Sequence, residues 1–308
     1  MKFLLFEWMV GGGMIESDCP LDQEDSFFKQ GSAMFSAMAE DLIAAGNEVV
    51  APMDARVYQL ESTAWAQKRK QFDPIPLRAD LRQTLCDLAA GVDQILIIAP
   101  ESDGILSQCY YWLEAFSDKW FGGPLPWIEL ASDKNRMQDY LDANGIAVPP
   151  SDMQSGQKWV AKPTQGAGSD DVRVFSGEDR KTEFRDRQKW RVEQYIQGKS
   201  VSVSIIDVGG NRCFLPPTGQ IFGTRSDNAI GSYIGAEHPL NDDQARRATA
   251  LAKQTVEVLP KFSGYIGIDM ILADRGSDVV IEINPRMTMS YCHLPLELRR
   301  RWLEAPAT

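Results

Sequence analysis

Three oxygen-bearing side chains near the end of the chain have a spacing that suits a metal ion. Glu282 and Asn284 are two residues apart in an apolar run, so both side chains project from one face of a β-strand. Asp269 lies in the preceding apolar run, and a short turn would bring it alongside. Mg²⁺ accepts such oxygen ligands, keeps several waters and otherwise binds substrate phosphates. The pattern predicts a metal site at these three residues.

The alternative interpretation is an ordinary strand whose Glu282 and Asn284 face solvent. Two features favour the metal site. Asp269 is an acid among apolar neighbours, where a charge is costly without a partner. Arg286 follows directly after the second strand, and a guanidinium there can bind a phosphoryl or carboxylate oxygen in a bidentate manner. Arg286 is therefore a candidate catalytic and substrate-binding residue.

Lys162 is a second candidate cation, because it ends an apolar run and precedes a glycine-rich segment, residues 165–169. Backbone N–H groups of such a segment can bind phosphate oxygens, and the lysine adds a point charge. Taken alone, the segment is better explained as a plain turn. The string at residues 198–200, Gly-Lys-Ser, is not a P-loop, because Glu193 stands where that motif needs its first glycine.

A third group of candidates lies near the N-terminus. It consists of Glu7, Gly11, Gly12, Gly13 and, further along, Glu101. Glu16 stands where a dinucleotide-binding GxGxxG motif starting at Gly11 would need glycine, so the cluster is not that motif. Beyond the strand ends of an open parallel sheet, carboxylates would suit a cationic amine, and glycines would allow close approach. The alternative is that Glu7 caps a loop or pairs with a lysine or arginine.

The elements that must position these residues fall into two patterns. The first part of the chain alternates apolar strands and helices, which predicts a parallel α/β unit over about residues 1–105. Its strands are predicted at 2–6, 49–51 and 94–99, and its helices at 27–45 and 81–90. The remainder predicts an α+β arrangement, with helices at 133–144 and 242–259 and strands at 159–162, 172–175, 192–196, 201–206, 265–272 and 279–283.

Composition limits the function classes. The 308 residues carry 43 acidic and 32 basic side chains, and the net charge of -11 argues against a nucleic-acid or anionic-membrane partner. Five scattered cysteines without a CxxC pair predict reduced thiols in a cytoplasmic protein. No uncharged apolar run reaches the about 18 residues of a membrane span. The two histidines lie far apart, which argues against a catalytic triad or a zinc site.

Taken in chain order, these motifs resemble those of the ATP-grasp superfamily of carboxylate–amine ligases. The motifs are Lys134 in Ser132-Asp133-Lys134, Lys162 before Gln165-Gly166-Ala167-Gly168-Ser169, Glu193-Gln194-Tyr195-Ile196-Gln197-Gly198, Gly267-Ile268-Asp269 and Ile281-Glu282-Ile283-Asn284-Pro285-Arg286. The resemblance covers roughly residues 100–300. The strings Leu5-Phe6-Glu7, Gly11-Gly12-Gly13 and Ala99-Pro100-Glu101 look like the tyramine–glutamate ligase group of methanofuran biosynthesis.

The resemblance implies a Rossmann-like pre-ATP-grasp α/β unit followed by a two-lobed ATP-grasp module, divided at 1–105, 106–190 and 191–308. It implies an ADP-forming ligase that uses ATP and Mg²⁺ (or Mn²⁺) and acts on small carboxylate and amine substrates through an acyl phosphate. An ATP-grasp small-molecule kinase and a non-catalytic nucleotide-binding protein are the alternatives. The acid and amine, and the oligomeric state, stay open.

The resemblance also implies site roles. Lys134 and Lys162 would contact ATP phosphates, and Gln165, Gly166, Gly168 and Ser169 would lie in a loop that covers them. Glu193 and the backbone of Gln194, Tyr195 and Ile196 would form the adenine hinge. Asp269, Glu282 and Asn284 would hold one or two metal ions, while Arg286 would stabilise the transferred phosphoryl group. Arg225 falls in a segment that faces the acceptor substrate in this family, and a solvated loop is the alternative there. Ser200 replaces the family's usual ribose-binding acid, and Asp207 or solvent would substitute.

Overall fold

A parallel three-stranded sheet forms the centre of the N-terminal unit. The computed structural model describes residues 1–15, 22, 25–58, 73–75, 80–151, 157–166, 168, 171–176, 183–223 and 231–303. The N-terminal elements are β1 (Lys2–Glu7), α1 (Ser26–Ala44), β2 (Glu48–Val50), β3 (Pro52–Asp54), α2 (Ala55–Tyr58), β4 (Asp73–Ile75), α3 (Leu81–Ala90) and β5 (Gln94–Ile98). The strand order is β2-β1-β5, as the predicted parallel unit requires. The strands end at one edge, which places Glu7 there.

Local signals explain these elements. Strand β1 is buried from Phe3 to Glu7, as expected for a central parallel strand covered on both faces. Asp25 caps α1 by accepting hydrogen bonds from the backbone N–H groups of Phe27 and Phe28. Strand β2 ends at Val50, and Pro52 begins β3. Proline is tolerated at the first position of a strand, and β3 pairs with β4 in a separate small sheet.

Two helices that the sequence analysis did not predict follow the first sheet. They are α4 (Ile105–Trp112) and α5 (Leu125–Ser132). Side chains of α4, among them Leu106 and Cys109, share a buried cluster with Leu4 and Phe6 of β1. The segment from residue 105 to 121 therefore packs on the N-terminal sheet, and the domain boundary predicted after residue 105 stays a prediction.

A small antiparallel sheet comes next. It follows α6 (Lys134–Ala143) and contains β6 (Lys158–Pro163), β7 (Arg173–Ser176) and β8 (Trp190–Gln194) in the order β7-β6-β8. Asp133 caps α6 by accepting a hydrogen bond from the backbone N–H group of Arg136 at 3.0 Å. This sheet positions Lys162 at the end of β6.

The largest sheet is antiparallel and has six strands. It comprises β9 (Gly198–Val208), β10 (Asn211–Phe214), β11 (Thr218–Phe222), β12 (Tyr233–Glu237), β13 (Gly264–Ala273) and β14 (Val279–Asn284), and α7 (Asp242–Val258) packs on it. The order is β12-β11-β9-β13-β14, with β10 paired to β9. Strands β10, β11 and β12 were not predicted, because they are short and interrupted by polar residues and glycine.

The end of the chain returns to the N-terminal unit through α8 (Met289–Cys292) and α9 (Leu296–Arg299). Asp41 of α1 is fully buried, and its carboxylate accepts a hydrogen bond from the Tyr291 hydroxyl at 2.9 Å as well as from Arg299 and Arg300. This ionic cluster holds the residues after β14 against the first sheet. Among the described helices, none is long and apolar enough to cross a membrane.

Candidate functional site

The three predicted metal ligands converge on one face of the large sheet. Asp269 and Glu282 are directly opposed across β13 and β14, and Asn284 is opposed to Gly267. The Asn284 amide donates a hydrogen bond to Asp269 Oδ2 at 3.2 Å. Gly267 is required locally, because a Cβ there would lie 2.6 Å from the Thr288 side chain. The pairing register thus brings the three side chains together.

The electrostatics of this group fit a divalent cation. Asp269 Oδ1 is buried without a hydrogen-bond partner among the described residues. Burial, followed by the charge of Glu282, raises the pKa of Asp269 to about 6. Burial alone would also raise the pKa of Glu282, but the Lys134 and Lys162 ammonium groups bring that pKa below its usual value. The site therefore offers an ionised carboxylate and an orphaned carboxylate oxygen side by side.

The side chains of Asp269, Glu282 and Asn284 suit a metal ion that takes its remaining ligands from water and substrate phosphates. No cluster of three His, Cys, Asp or Glu side chains suited to a metal occurs within the part of the chain that the structure describes. The group at β13 and β14 contains two carboxylates and one amide. Mg²⁺ commonly binds through one or two carboxylates plus waters and substrate phosphates, so these residues fit that ion.

Lys134 bridges the metal strand and the glycine-rich segment. Its Nζ lies 2.9 Å from Glu282 Oε1 and donates a hydrogen bond to the Gly166 carbonyl at 2.7 Å. Lys134, Gln165 and Gly166 do not line the main cavity, whereas Gly168 does. Ser169, the remaining predicted member of this segment, lies outside the described residues.

Lys162 is positioned by a buried row of ionic contacts that runs through Glu193 to Arg191. Its Nζ lies 2.7 Å from Glu193 Oε1 and donates to the Ile281 carbonyl at 2.7 Å, next to Glu282. The other oxygen of Glu193 accepts a hydrogen bond from Arg191 Nε at 3.1 Å. Both oxygens of Glu193 are thus occupied, and its side chain positions Lys162. The prediction assigned Glu193 to the adenine hinge without this ionic role.

The main cavity has a volume of about 690 Å³ and lies between the two antiparallel sheets. Its lining includes Lys162, the predicted hinge residues Glu193, Gln194, Tyr195 and Ile196, and the group Asp269, Glu282, Asn284 and Arg286. Residues from separate parts of the chain, such as Lys162 and Arg286, thus share one cavity. The predicted hinge, Lys162 and the acidic group all line it.

Several lining residues were not predicted as site residues. They are Gln220, Phe222, Thr288, Met289 and Ser290. Tyr233 also lines the cavity, and it belongs to the same segment as Arg225, which the resemblance placed towards the acceptor substrate. Ser200 also lines the cavity and donates a hydrogen bond to Gln220 Oε1 at 2.6 Å. Asp207 was predicted as a replacement ribose ligand, but it accepts hydrogen bonds from Gly210 N and Arg212 and does not line the cavity.

Arg286 lies where two cavities meet, since it lines both. Its Nη2 lies 2.9 Å from Glu101 Oε2, and Nε donates to the same oxygen at 3.0 Å. Glu101 is therefore the partner of Arg286 and is absent from the lining of the second cavity, where the sequence predicted an amine contact. Arg225, the other predicted substrate contact, lies outside the described residues.

The second cavity has a volume of about 550 Å³ and contains Glu7. Its walls are largely apolar, from residues that include Trp8, Met9, Phe28, Met34, Ile98 and Ile105. Glu7 is 3% exposed and accepts a hydrogen bond from Val10 N at 2.8 Å, which is the loop-capping role that the sequence left open. Burial raises the pKa of Glu7 to about 7.

The predicted glycine cluster does not line either cavity. A Cβ at Gly11 would lie 2.5 Å from the Phe6 ring, and a Cβ at Gly13 would lie 2.2 Å from the Trp8 ring. Gly12 has a φ of 103°, which favours glycine. The structure therefore gives Gly11, Gly12 and Gly13 a packing and turn role beneath the second cavity's wall.

Comparisons with known proteins agree with this architecture. Residues 131–290 match the model of the ATP-grasp domain, and residues 48–126 match that of the pre ATP-grasp 3 domain. The chain is 24% identical over 301 residues to a tyramine–L-glutamate ligase of Methanocaldococcus fervens, covering 96% of this chain and 89% of the relative.

Two solved structures share the fold. An ATP-grasp superfamily protein from Archaeoglobus fulgidus has a TM-score of 0.68 at 21% identity, covering 95% of this chain and 83% of the other. D-alanine–D-alanine ligase from Bacillus anthracis has a TM-score of 0.60 at 19% identity, covering 97% and 91%. The predicted fold class and the resemblance to ATP-grasp ligases of the tyramine–glutamate group are confirmed.

Proposed function

We propose a function from one premise: this chain belongs to the ATP-grasp family. The protein is an ATP-dependent ligase that joins a substrate carboxylate to an amine and forms ADP. The observation that carries the proposal is the 690 Å³ cavity, in which hinge, lysine, acidic group and arginine line one continuous space. An adjoining apolar cavity with a buried carboxylate provides room for a second substrate.

In this proposal the adenine of ATP lies between the two antiparallel sheets. Val160, Val174 and Ile281 give the cavity apolar walls, and the hinge backbone at residues 194–196 offers polar groups to the edge of the base. Lys162 then faces the phosphates, Lys134 adds positive charge from beside Glu282, and the segment 165–169 covers them. Its closure would exclude water, which otherwise hydrolyses the acyl phosphate.

Replacement of Lys162 by Ala should weaken ATP binding by about one to two orders of magnitude. The lost interaction is a charged hydrogen bond, which contributes roughly 1.5–3 kcal/mol. Glu193 keeps its second partner, Arg191, so the fold should survive. Calorimetric titration with ATP measures the effect, and the exposed Lys261→Ala serves as the control. An unchanged dissociation constant for Lys162→Ala would contradict the assignment.

Asp269, Glu282 and Asn284 would hold one or two Mg²⁺ (or Mn²⁺) ions. A bound ion would neutralise phosphate charge and fix the orientation of the terminal phosphate. Phosphoryl transfer needs little covalent help from the protein, so the residues of the site act by positioning and by compensating charge.

The reaction that this site supports has two steps. An oxygen of the substrate carboxylate forms a bond to the γ-phosphorus of ATP, and the bond from that phosphorus to the departing ADP oxygen breaks. The amine nitrogen then attacks the carbonyl carbon of the acyl phosphate, and phosphate leaves with a proton from the nitrogen. Arg286, held by Glu101, faces the transferred phosphoryl group. Its guanidinium supplies fixed donors where negative charge develops.

The second cavity is the proposed amine site. Its apolar walls suit an amine with an apolar body, and Glu7 supplies a carboxylate for the ammonium group. The archaeal relative is named for tyramine and L-glutamate, so we propose that this chain joins glutamate to tyramine or a related amine in one-carbon cofactor biosynthesis.

Glu7→Gln should raise the apparent KM of the amine far more than that of ATP, because it removes the charge partner of one substrate only. Since the pKa of Glu7 is about 7, its carboxylate ionises as pH rises through neutrality, and the KM of the amine should fall over that range in the wild type. Steady-state kinetics with each substrate varied in turn provide the measurement. Gly31→Ala is a second variant that tests the role of Glu7, because a Cβ there would lie 2.4 Å from Glu7 Oε1 and displace the carboxylate.

Gly235→Ala is the matched control, since nothing lies within 4 Å of a Cβ at that position. Equal effects of Glu7→Gln on amine and ATP kinetics, or loss of folded protein, would count against the amine site and favour the loop-capping role alone.

Product analysis tests the proposed function itself. The protein is incubated with ATP, Mg²⁺ and a library of amino acids and amines, and phosphate and ADP are measured. A ligase releases both only when a carboxylate and an amine are present together. Phosphorylated product without an amine would instead indicate a small-molecule kinase, and ATP binding without turnover would indicate a non-catalytic nucleotide-binding protein.

The proposal places the enzyme in the cytoplasm with small-molecule partners. Four cysteines in the described part of the chain, Cys86, Cys109, Cys213 and Cys292, are free thiols, which suits a reducing compartment. The net charge of -11 disfavours nucleic acid and anionic membranes as partners.

A further inference from the structure

Tyr233 lines the main cavity, and its hydroxyl is buried. The residue begins β12, the edge strand of the large sheet, and lines the cavity together with Asp269, Arg286 and Thr288. Its ring contacts that of Phe222 edge-to-face, with centroids 6.0 Å apart. The hydroxyl is buried and has no hydrogen-bond partner among the residues that the structure describes.

A second orphaned atom, Asp269 Oδ1, belongs to the same cavity. Buried polar atoms are rarely left unpaired, because each loses its hydrogen bonds to water without replacement. The two atoms differ in what they need: a carboxylate oxygen needs a cation or a donor, whereas a hydroxyl proton needs an acceptor. Both needs are met at once by a phosphate-bearing ligand and its counter-cation.

The Tyr233 hydroxyl is a donor in this position. A phenol ionises only at about pH 10, so the hydroxyl keeps its proton at neutral pH. The nearest ring on the other side is that of His293, with centroids 5.8 Å apart. Burial lowers the pKa of His293, so a neutral imidazole lies beside the tyrosine.

We propose that Tyr233 is a further catalytic residue, whose hydroxyl donates a hydrogen bond to an anionic oxygen of the acyl phosphate that Arg286 also faces. This rests on the proposed function, since the acyl phosphate is the group in which phosphoryl and carboxylate oxygens meet. The hydroxyl of Tyr233 and the guanidinium of Arg286 together stabilise the negative charge that develops during phosphoryl transfer. The two oxygen sources, phosphoryl and carboxylate, are separated by the two arms of the test.

Tyr233→Phe removes the hydroxyl alone. In the first arm, calorimetry measures the binding of ADP with Mg²⁺, with and without aluminium fluoride as a mimic of the transferred phosphoryl group. A phosphoryl contact weakens the aluminium fluoride complex by about 10- to 100-fold and leaves ADP binding unchanged. In the second arm, steady-state kinetics measure the apparent KM of the acid, which a carboxylate contact raises by a similar factor.

The control is Tyr111→Phe, because Tyr111 is exposed and lies on α4. Since the Tyr233 hydroxyl has no described protein partner, the Tyr233→Phe variant should melt at or above the wild-type temperature, which separates a ligand contact from a structural role. An effect in either arm supports the proposal, and wild-type behaviour in both arms overturns it.

Results that refute the ligase function can be distinguished from results that refute the Tyr233 contact. A wild-type protein that forms no ADP with any acid and amine, but whose aluminium fluoride complex still depends on Tyr233, refutes the ligase and retains the phosphoryl contact. A wild-type protein that neither binds ADP with aluminium fluoride nor forms ADP refutes both.

Discussion

Glu282→Gln should abolish Mg²⁺-dependent turnover while the fold stays intact. Glutamine keeps the volume of the side chain and loses the negative charge, and a neutral amide is a poor ligand for a hard divalent cation. The charge is present at neutral pH in the wild type, because Lys134 and Lys162 keep the pKa of Glu282 low despite its burial. ADP formation, together with Mn²⁺ binding followed by electron paramagnetic resonance, provides two independent measurements.

Glu129→Gln is the matched control for this substitution, since Glu129 is exposed on α5. The control should keep full activity and full Mn²⁺ affinity. Near-normal turnover in Glu282→Gln would mean that Glu282 serves mainly as the ionic partner of Lys134, at 2.9 Å, and does not bind the metal.

Arg286→Lys should lower kcat by about two to three orders of magnitude, the usual effect of removing a preorganised donor from developing negative charge. Lysine keeps the positive charge but not the planar fork of donors, and it cannot reproduce the contacts to Glu101 at 2.9 and 3.0 Å. ATP affinity should change little, because the hinge and Lys162 remain. Pre-steady-state ADP formation measures the chemical step, and calorimetry measures ATP affinity.

Arg82→Lys, at an exposed position of α3, tests for non-specific effects of the exchange. If Arg286→Lys lost ATP affinity and kcat in equal measure, Arg286 would bind ATP in its ground state and have no special part in phosphoryl transfer.

The β13–β14 hairpin is the part of the candidate site whose arrangement could best be predicted from the sequence. Glu282 and Asn284 share a strand face because side chains alternate, and Asp269 belongs to the adjoining strand of the same hairpin. Such contacts are local in sequence, so periodicity and one short turn suffice to place them. The same holds for the limits of α3, Leu81–Ala90, which agree with the prediction.

The roles of Glu101 and Glu193 could not be predicted in the same way. Glu101 meets Arg286 across 185 positions, because the end of the chain folds back onto the N-terminal unit through the Asp41 cluster. Glu193 was assigned to the hinge from its motif, whereas its ionic partners depend on the pairing of β6 with β8. The strands β10, β11 and β12, and with them Tyr233, lacked the apolar pattern that identifies a strand.

The sequence by itself determined which functional groups lie near one another along the chain. These are an acid and an amide two residues apart on a strand, an arginine after that strand, and a lysine before a glycine-rich segment. It also determined that a parallel α/β unit precedes them. Tertiary structure decided which partner each charge has, which glycines only pack against aromatic rings, and that two cavities meet at Arg286. The physical reason is that the alternation of side chains along a strand and the periodicity of a helix depend only on residues close together in sequence. An ion pair or a cavity wall arises only when distant segments pack, and its free energy depends on burial that no single segment encodes.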